Sequence, residues 1–148
     1  MSKKNELPLR LAKEICQKLI ERRLLGAEKV PVSLTEIGQC LKTMLEASPE
    51  PPLLSLAGEL TLKLIEQGRL RTPQQALETI ENLNLELKTL SASLPSAQAE
   101  PALRSAVNLT VKLLEVHFVS QSQVANTVAK LARASNDLLS WPSDLEKS

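Results

Sequence analysis

The sequence LRLAKEICQKLIE, at residues 9–21, carries the pattern from which the fold is predicted. Two later stretches align with it without a gap, namely LSLAGELTLKLIE at residues 54–66 and LRSAVNLTVKLLE at residues 103–115. Apolar residues recur at the same places in all three stretches, three or four positions apart, which is the spacing of one face of an α-helix. The pattern predicts three copies of one amphipathic helix.

Equivalent positions of the three copies form columns of matching residues. The apolar columns are Ala12, Ala57 and Ala106; Ile15, Leu60 and Leu109; and Leu19, Leu64 and Leu113. The charged columns are Lys18, Lys63 and Lys112, followed by Glu21, Glu66 and Glu115. Because charges match as well as apolar residues, the columns indicate duplication of one unit. On the helices themselves, the charged columns are expected to form a solvated stripe or, alternatively, a ladder that meets an extended partner.

Each copy is followed by signals for a turn and a second helix. Proline precedes each first helix, and the expected stops are Gly26, Gly68 and His117. Capping boxes open the second helices, with the pairs Ser33 and Glu36, Thr72 and Gln75, and Ser120 and Gln123. Linkers are expected at residues 48–52 and 91–101. We therefore predict helices at about 8–24, 33–47, 53–67, 73–92, 101–117 and 121–140.

These signals together predict an all-α fold with six helices, arranged as three tandem αα-hairpin repeats in a short solenoid or a compact helical bundle. We expect a single helical-repeat domain over residues 1–148. The predicted hairpins span about 8–47, 53–92 and 101–141, followed by a frayed C-terminal tail at 142–148. Stacked neighbours are needed because one hairpin cannot bury its own apolar face.

The composition argues against several functions. Trp141 and Phe118 are the only aromatic residues of the 148, while thirty leucines make the expected core aliphatic. Single strands of nucleic acid are usually held by stacked aromatic side chains, so a stacking platform is not expected. No stretch of eighteen apolar residues is present, and the N-terminus lacks the apolar core of a signal peptide. We expect no membrane association and a cytoplasmic protein whose two cysteines stay reduced.

Residues for catalysis or metal binding are nearly absent. His117 is the only histidine, and with Cys16 and Cys40 it matches no zinc spacing and no nucleophile–base arrangement. Cys16 and Cys40 align with threonines of the other copies, which predicts small helix-packing residues in these places. We therefore expect no catalytic site, no metal site, no cofactor and no small-molecule substrate.

The expected function is that of a non-catalytic protein–protein interaction module or adaptor. Terminal repeats of so short an array leave apolar helix faces that need a polar cap or a partner, and a second copy in a homo-oligomer would provide one. We expect the partner, another protein or a second copy, to contact the first and last helices. The predicted interaction surface consists of Leu7, Leu9, Leu11, Leu138, Leu139 and Trp141.

The alternative is a nucleic-acid-binding regulator. The net charge of the chain is only +1, but residues 1–30 carry eight basic side chains and four glutamates. The predicted basic patch on the first helix and its end consists of Arg10, Lys13, Lys18, Arg22 and Arg23. This alternative is less favoured because DNA-binding domains are usually strongly basic, whereas the sequence pI is about 7.8.

Overall fold

The computed structural model describes residues 6–140, and these residues form six α-helices and no β-strand. The helices are α1 (Glu6–Glu21), α2 (Val30–Ala47), α3 (Pro51–Glu66), α4 (Pro73–Ser93), α5 (Ser96–Glu115) and α6 (Val124–Leu139). Short 3₁₀ turns lead into α2 and α6, at Ala27–Lys29 and Gln121–Gln123. The predicted all-α class is confirmed.

The six helices form three antiparallel pairs that lie side by side. Each helix packs most extensively on its partner in the same hairpin, so that α1 pairs with α2, α3 with α4 and α5 with α6. In addition, α3 packs on both α1 and α5, and α4 contacts α2, α5 and α6. The second hairpin therefore lies in the middle of a compact, two-layered helical bundle. Descent of the three hairpins from one duplicated unit stays a prediction.

Within residues 6–140 the core is aliphatic and contains no aromatic ring. The three alanines of the first column are completely buried, and the Ala12 side chain lies at the close approach of α2, 3.8 Å from where a Cβ of Gly38 would be. Thr61 and Thr110 are also buried, and each hydroxyl donates to the carbonyl four residues earlier, at 2.8 and 2.7 Å. Those bonds satisfy the two hydroxyl groups that the first helices bury.

The three first helices end in the same backbone motif. Arg23, Gly68 and His117 occupy equivalent positions and have φ of 59°, 77° and 61°, in the left-handed region. The amide of the next residue donates to the carbonyl five positions earlier, at 2.8–2.9 Å in each case, as in a Schellman motif. Gly26, the expected stop of the first helix, has φ of −83°, so that expectation is wrong.

The start of α2 differs from the prediction. The helix begins at Val30, and Pro31 occupies one of its first two positions, where proline costs no hydrogen bond. Ser33 is buried inside the helix and does not cap it, so the predicted capping box with Glu36 is wrong.

Of the two other predicted capping boxes, that of Ser120 and Gln123 is present. In that of Thr72 and Gln75 only the bond to the hydroxyl is present, because Gln75 Oε1 accepts from the backbone amide of Arg71. The backbone amide of Gln75 donates to the Thr72 hydroxyl at 3.0 Å. The Ser120 amide donates to Gln123 Oε1 at 2.9 Å, at the start of the 3₁₀ turn before α6. These bonds satisfy amide groups that the first turn of a helix leaves without a partner.

The prediction also misplaces the start of α5. The expected linker at residues 91–101 shrinks to two residues, because α5 begins at Ser96. Pro101 therefore lies inside the helix instead of before it. Its ring removes one amide donor, which would have bonded the Ala97 carbonyl, and the remaining turns of α5 continue beyond it.

Candidate interaction surface

The residues of the predicted interaction surface lie in different environments. Leu9, Leu138 and Leu139 are exposed, and Leu7 is half-buried. Leu11 is buried and cannot contact a partner, which corrects the prediction: its Cδ2 lies 2.6 Å from where a Cβ of Gly58 would be. Trp141 lies outside the described residues.

Those apolar residues do not form one surface. Leu9 belongs to α1 in the first hairpin, whereas Leu138 and Leu139 end α6 in the last hairpin. Helices α1 and α6 share no extensive contact, because the second hairpin lies between them. The exposed members of the predicted set therefore mark two separate ends of the bundle.

The predicted basic patch is partly neutralised by carboxylates. Arg10 Nε lies 3.6 Å from Glu14 Oε1, and Lys18 Nζ lies 3.6 Å from both Glu21 Oε1 and Glu66 Oε2. Lys18 thus faces α3 and contributes to packing between hairpins.

The three other basic residues of the predicted patch lie on α1 and in the turn that follows it. Lys13 is exposed on α1, and Arg23 lies in the turn with its backbone in the left-handed region. The guanidinium of Arg22 extends over Gly68, so it covers the turn of the second hairpin. The structure therefore distributes the five basic residues over α1 and its turn.

The charged columns form a ladder that connects neighbouring hairpins. Lys18 Nζ contacts Glu66 of the next hairpin at 3.6 Å, and Lys63 Nζ contacts Glu115 of the following one at 3.0 Å. Each lysine also lies 3.4–3.6 Å from the glutamate three residues later in its own helix. We call the six residues of these two columns the charge ladder. Since the side chain of Lys63 is only 16% exposed, the expected solvated stripe is wrong for this residue.

At the centre of the charge ladder, Lys63 and Glu115 favour each other's charged forms. Burial alone lowers the pKa of the Lys63 ammonium, but the hydrogen bond to Glu115, with the charges of Glu66 and Glu115, raises the pKa above its usual value. The same hydrogen bond from Lys63 lowers the pKa of Glu115. Both shifts stabilise the charged pair at neutral pH.

Two exposed apolar features were not singled out by the sequence. On the first hairpin, a shallow groove, which we call the turn groove, is lined by Ile20, Leu25, Ala27, Val30 and Pro31. On the third hairpin, a set of exposed side chains, which we call the front patch, consists of Leu109, Val116 and Phe118. The repeat itself was the signal that could have identified them. Ile20 and Leu109 each align with apolar residues that are buried in the two other hairpins. An exposed residue in such a column is expected at an end of the stack.

Within residues 6–140 no three side chains of the histidine, cysteine, aspartate and glutamate types converge as metal ligands. Both cysteines are free thiols, and burial raises the pKa of each, with Glu81 adding to the rise at Cys40. A raised pKa keeps a thiol protonated and unreactive at neutral pH. In the same part of the chain, no helix is both long and apolar enough to cross a bilayer.

The surface of the bundle is therefore defined by two apolar ends and a charge ladder between the hairpins. Comparison of the chain with protein families, with curated proteins and with solved structures finds no match.

Proposed function

We propose that the chain is a non-catalytic protein-interaction module that binds a protein partner, or itself, through aliphatic helix faces. The observation that carries this proposal is the gathering of exposed apolar side chains at the two ends of the bundle. The first end presents the turn groove, and the last end presents the front patch. Grouped apolar side chains on a folded surface mark interaction sites more often than single scattered ones do.

The shape of the two ends also supports a protein partner. The turn groove is shallow and aliphatic, which suits an apolar side chain or an amphipathic helix. Phe118 is the only aromatic residue among those described, and it is exposed in a turn instead of filling the core. Exposed aromatic anchors often contribute much of the binding energy at protein interfaces.

The nucleic-acid alternative has less support. Lys18 is engaged in the charge ladder and Arg10 is paired with Glu14, so two of the five predicted basic residues already face a carboxylate. Phosphate contacts would have to compete with these pairs. A non-catalytic role is supported by the raised pKa of both thiols, because a raised pKa favours the protonated, unreactive form at neutral pH.

The test is a pull-down from lysate of the native host with the tagged full chain, with and without nuclease, read by mass spectrometry. We expect a stoichiometric protein partner that survives nuclease and that is lost with Phe118→Asp or Ile20→Asp. The matched control is Leu85→Asp, which places a charge at an exposed leucine of α4, away from both ends. If the captured proteins are lost on nuclease treatment, and their binding weakens steeply between about 50 and 200 mM salt, the result would favour the nucleic-acid alternative instead.

We also propose a cytoplasmic location. It is supported by a chain that carries only two cysteines, both of them free thiols, because secreted small domains usually use cysteines in disulfides. Fractionation of the native host, with the tagged chain followed by immunoblotting, tests this location directly.

A further inference from the structure

The first hairpin exposes the half of an interface that its neighbours bury. Gly58 of α3 packs against Leu11 of the preceding hairpin, and Leu54 lies one helical turn before it on the same side of α3. Leu54 and its equivalent in α5, Leu103, are 1% and 0% exposed. Their equivalent in α1 is Leu9, which no other hairpin covers within residues 6–140 and which is 59% exposed. Ile20 shows the same difference, since it is exposed whereas its equivalents Ile65 and Leu114 are completely buried. We call this exposed side of α1 the rear face.

The third hairpin exposes the opposite half. In α1 and α3, Ile15 and Leu60 are completely buried, whereas their equivalent Leu109 in α5 is 48% exposed. Leu113 is also more exposed than its equivalents Leu19 and Leu64. We call this side of α5 the front face. The two ends of the bundle thus carry complementary halves of the interface by which one hairpin packs on the next.

The charge ladder gives these two halves a common register. Inside the chain, the lysine of each hairpin contacts the glutamate of the next one, from Lys18 to Glu66 and from Lys63 to Glu115. Within residues 6–140 the third lysine, Lys112, is paired only with Glu115 of its own helix, and its side chain is 78% exposed against 16% for Lys63. At the other end, Glu21 is contacted, within residues 6–140, only from its own helix, by Lys18. A lysine without a following glutamate at one end therefore complements a glutamate without a preceding lysine at the other.

The turns give the same register independently. Arg69 Nη1 donates to the Val119 carbonyl at 3.0 Å, so the turn of the second hairpin lies against the turn of the third. One hairpin further, the equivalent of Arg69 is Phe118 and the equivalent of Val119 is Leu25. Likewise, the side-chain amide of Gln67 donates from Nε2 to the Leu114 carbonyl. One hairpin further, the equivalent of Gln67 is Val116 and the equivalent of Leu114 is Ile20. Leu25 and Ile20 line the turn groove.

We propose that the chain binds a second copy of itself head to tail, with the front face of one copy stacked on the rear face of the next. Phe118 and Val116 of one copy enter the turn groove of the next copy, and Lys112 pairs with Glu21 of that copy. This proposal rests on the proposed function and names its partner. The two surfaces are different patches of the same chain, so the contact is heterologous and continues into a ring or a filament instead of stopping at a dimer.

The contact between copies is weaker than the contacts inside the chain. Leu11 packs against Gly58 between α1 and α3, and the equivalent pair between α3 and α5 is Leu56 with Val107. Between copies the equivalent pair is Ser105 with Lys13, both of which are exposed and polar. Polar residues at these two places reduce the apolar area that association buries, so the assembly is reversible and depends on concentration.

The experiment uses the purified full chain in sedimentation-velocity runs between about 1 μM and about 1 mM, a range that spans moderate to weak association. We expect the mean mass of the wild type to rise with concentration beyond that of a dimer. Phe118→Asp disables the front face and Ile20→Asp disables the rear face, each with a loss of affinity of about tenfold or more. Leu85→Asp is the control and leaves association unchanged. Far-UV circular dichroism verifies that all three variants fold.

Mixing the two disabled variants distinguishes head-to-tail association from a symmetric dimer. The Ile20→Asp variant keeps its front face and the Phe118→Asp variant keeps its rear face, so an equal mixture forms a 1:1 complex that cannot grow further. Failure of the mixture to associate, when the wild type does associate, overturns the proposal. So does a wild-type chain that stays monomeric over the whole range, or a Leu85→Asp variant that loses association.

A charge exchange tests the register within the interface. Lys112→Glu weakens association of the chain with itself, because two carboxylates then face each other between copies. Mixing this variant with Glu21→Lys restores association, since the exchanged carboxylate of one copy then meets the exchanged ammonium of the next. Absence of restoration overturns the proposed register.

The outcomes also separate self-association from the proposed function. A monomeric chain that still captures a nuclease-resistant protein in the pull-down overturns self-association and leaves the proposed function standing. Self-association without capture of any other protein supports both.

Discussion

The middle hairpin and the two terminal hairpins have closely matching sequences and very different surroundings. Leu60 in α3 is completely buried, whereas its equivalent Leu109 in α5 is half exposed, although both follow an alanine by three positions. The difference arises because α3 lies between the first helices of two neighbouring hairpins, α1 and α5, whereas α5 packs on only one such helix, α3. A repeated pattern therefore specifies which residues are able to pack, and the position in the stack decides which of them do.

The largest expected effect is the difference in unfolding free energy lost when Leu60 and Leu109 are each replaced by alanine. Leu60→Ala removes a buried side chain and should cost about 2–5 kcal/mol. Leu109→Ala removes a half-exposed one and should cost less than about 1 kcal/mol. Urea unfolding at a protein concentration below that of self-association measures both. Equal losses would show that the middle and the end of the stack are packed alike.

The next effect concerns the turn of the middle hairpin. Gly68→Ala places a side chain at φ of 77° and brings its Cβ to 2.5 Å from Arg22 Nη2, so it should destabilise the fold by about 1–2 kcal/mol. Gly26→Ala is the matched control, because its φ is −83° and no atom lies within 4 Å of the added Cβ. We expect the control to stabilise the fold by about 0.4–1 kcal/mol. Thermal unfolding that ranks the two variants in the opposite order would contradict the described turn.

A smaller effect of opposite sign is expected at the terminal turn. His117 has φ of 61°, which costs a residue with a Cβ about 1–2 kcal/mol. His117→Gly removes that cost but adds about 0.5–1 kcal/mol of backbone entropy, so a net gain of up to about 1.5 kcal/mol is expected in urea unfolding. Val116→Gly, at an ordinary φ of −98°, is the control and should give no gain.

The smallest effect compares two lysines of the charge ladder. Lys63→Met should lower the urea midpoint more than Lys112→Met does, because Lys63 contacts carboxylates on two helices and Lys112 on one. The pKa of Glu115 is lowered in the folded chain, so its contribution is complete above the ordinary glutamate pKa and is lost as pH falls through the folded value. We therefore expect the gap between wild type and Lys63→Met to narrow below about pH 4. A gap that stays constant from neutral to acid pH would assign the effect of Lys63 to packing alone.

Much of the fold was predictable because local signals and columns agree. Six helices, an aliphatic core and the caps at Thr72 and Ser120 follow from spacing and capping chemistry. Ser33 and Pro101 were assigned wrongly for a common reason. Each residue is of a type that is common at helix starts, but in each case the helix begins earlier. Helix α2 begins at Val30, with Pro31 in its first turn, and α5 begins at Ser96, directly after a short connection.

The candidate surface was less predictable than the fold. Leu11 and Leu9 are two positions apart on the same helix and are equally apolar, yet one is buried by Gly58 and the other is exposed. Which side of α1 lies against the next hairpin is a tertiary property, and the sequence of α1 alone does not contain it. Ile20 and Phe118 were missed because their exposure depends on the position of their hairpins in the bundle formed by residues 6–140 and not on their own residue types.

The order of the hairpins along the chain also bears on how the protein folds. Every extensive helix contact joins elements of the same hairpin or of hairpins adjacent in sequence. Such a chain has a low contact order, because few of its contacts join residues far apart in sequence. Folding in the microsecond to millisecond range is typical of helical proteins of this kind. On the ribosome, the first hairpin is complete while the second is still being synthesised, and each new hairpin finds an already formed surface on which to pack.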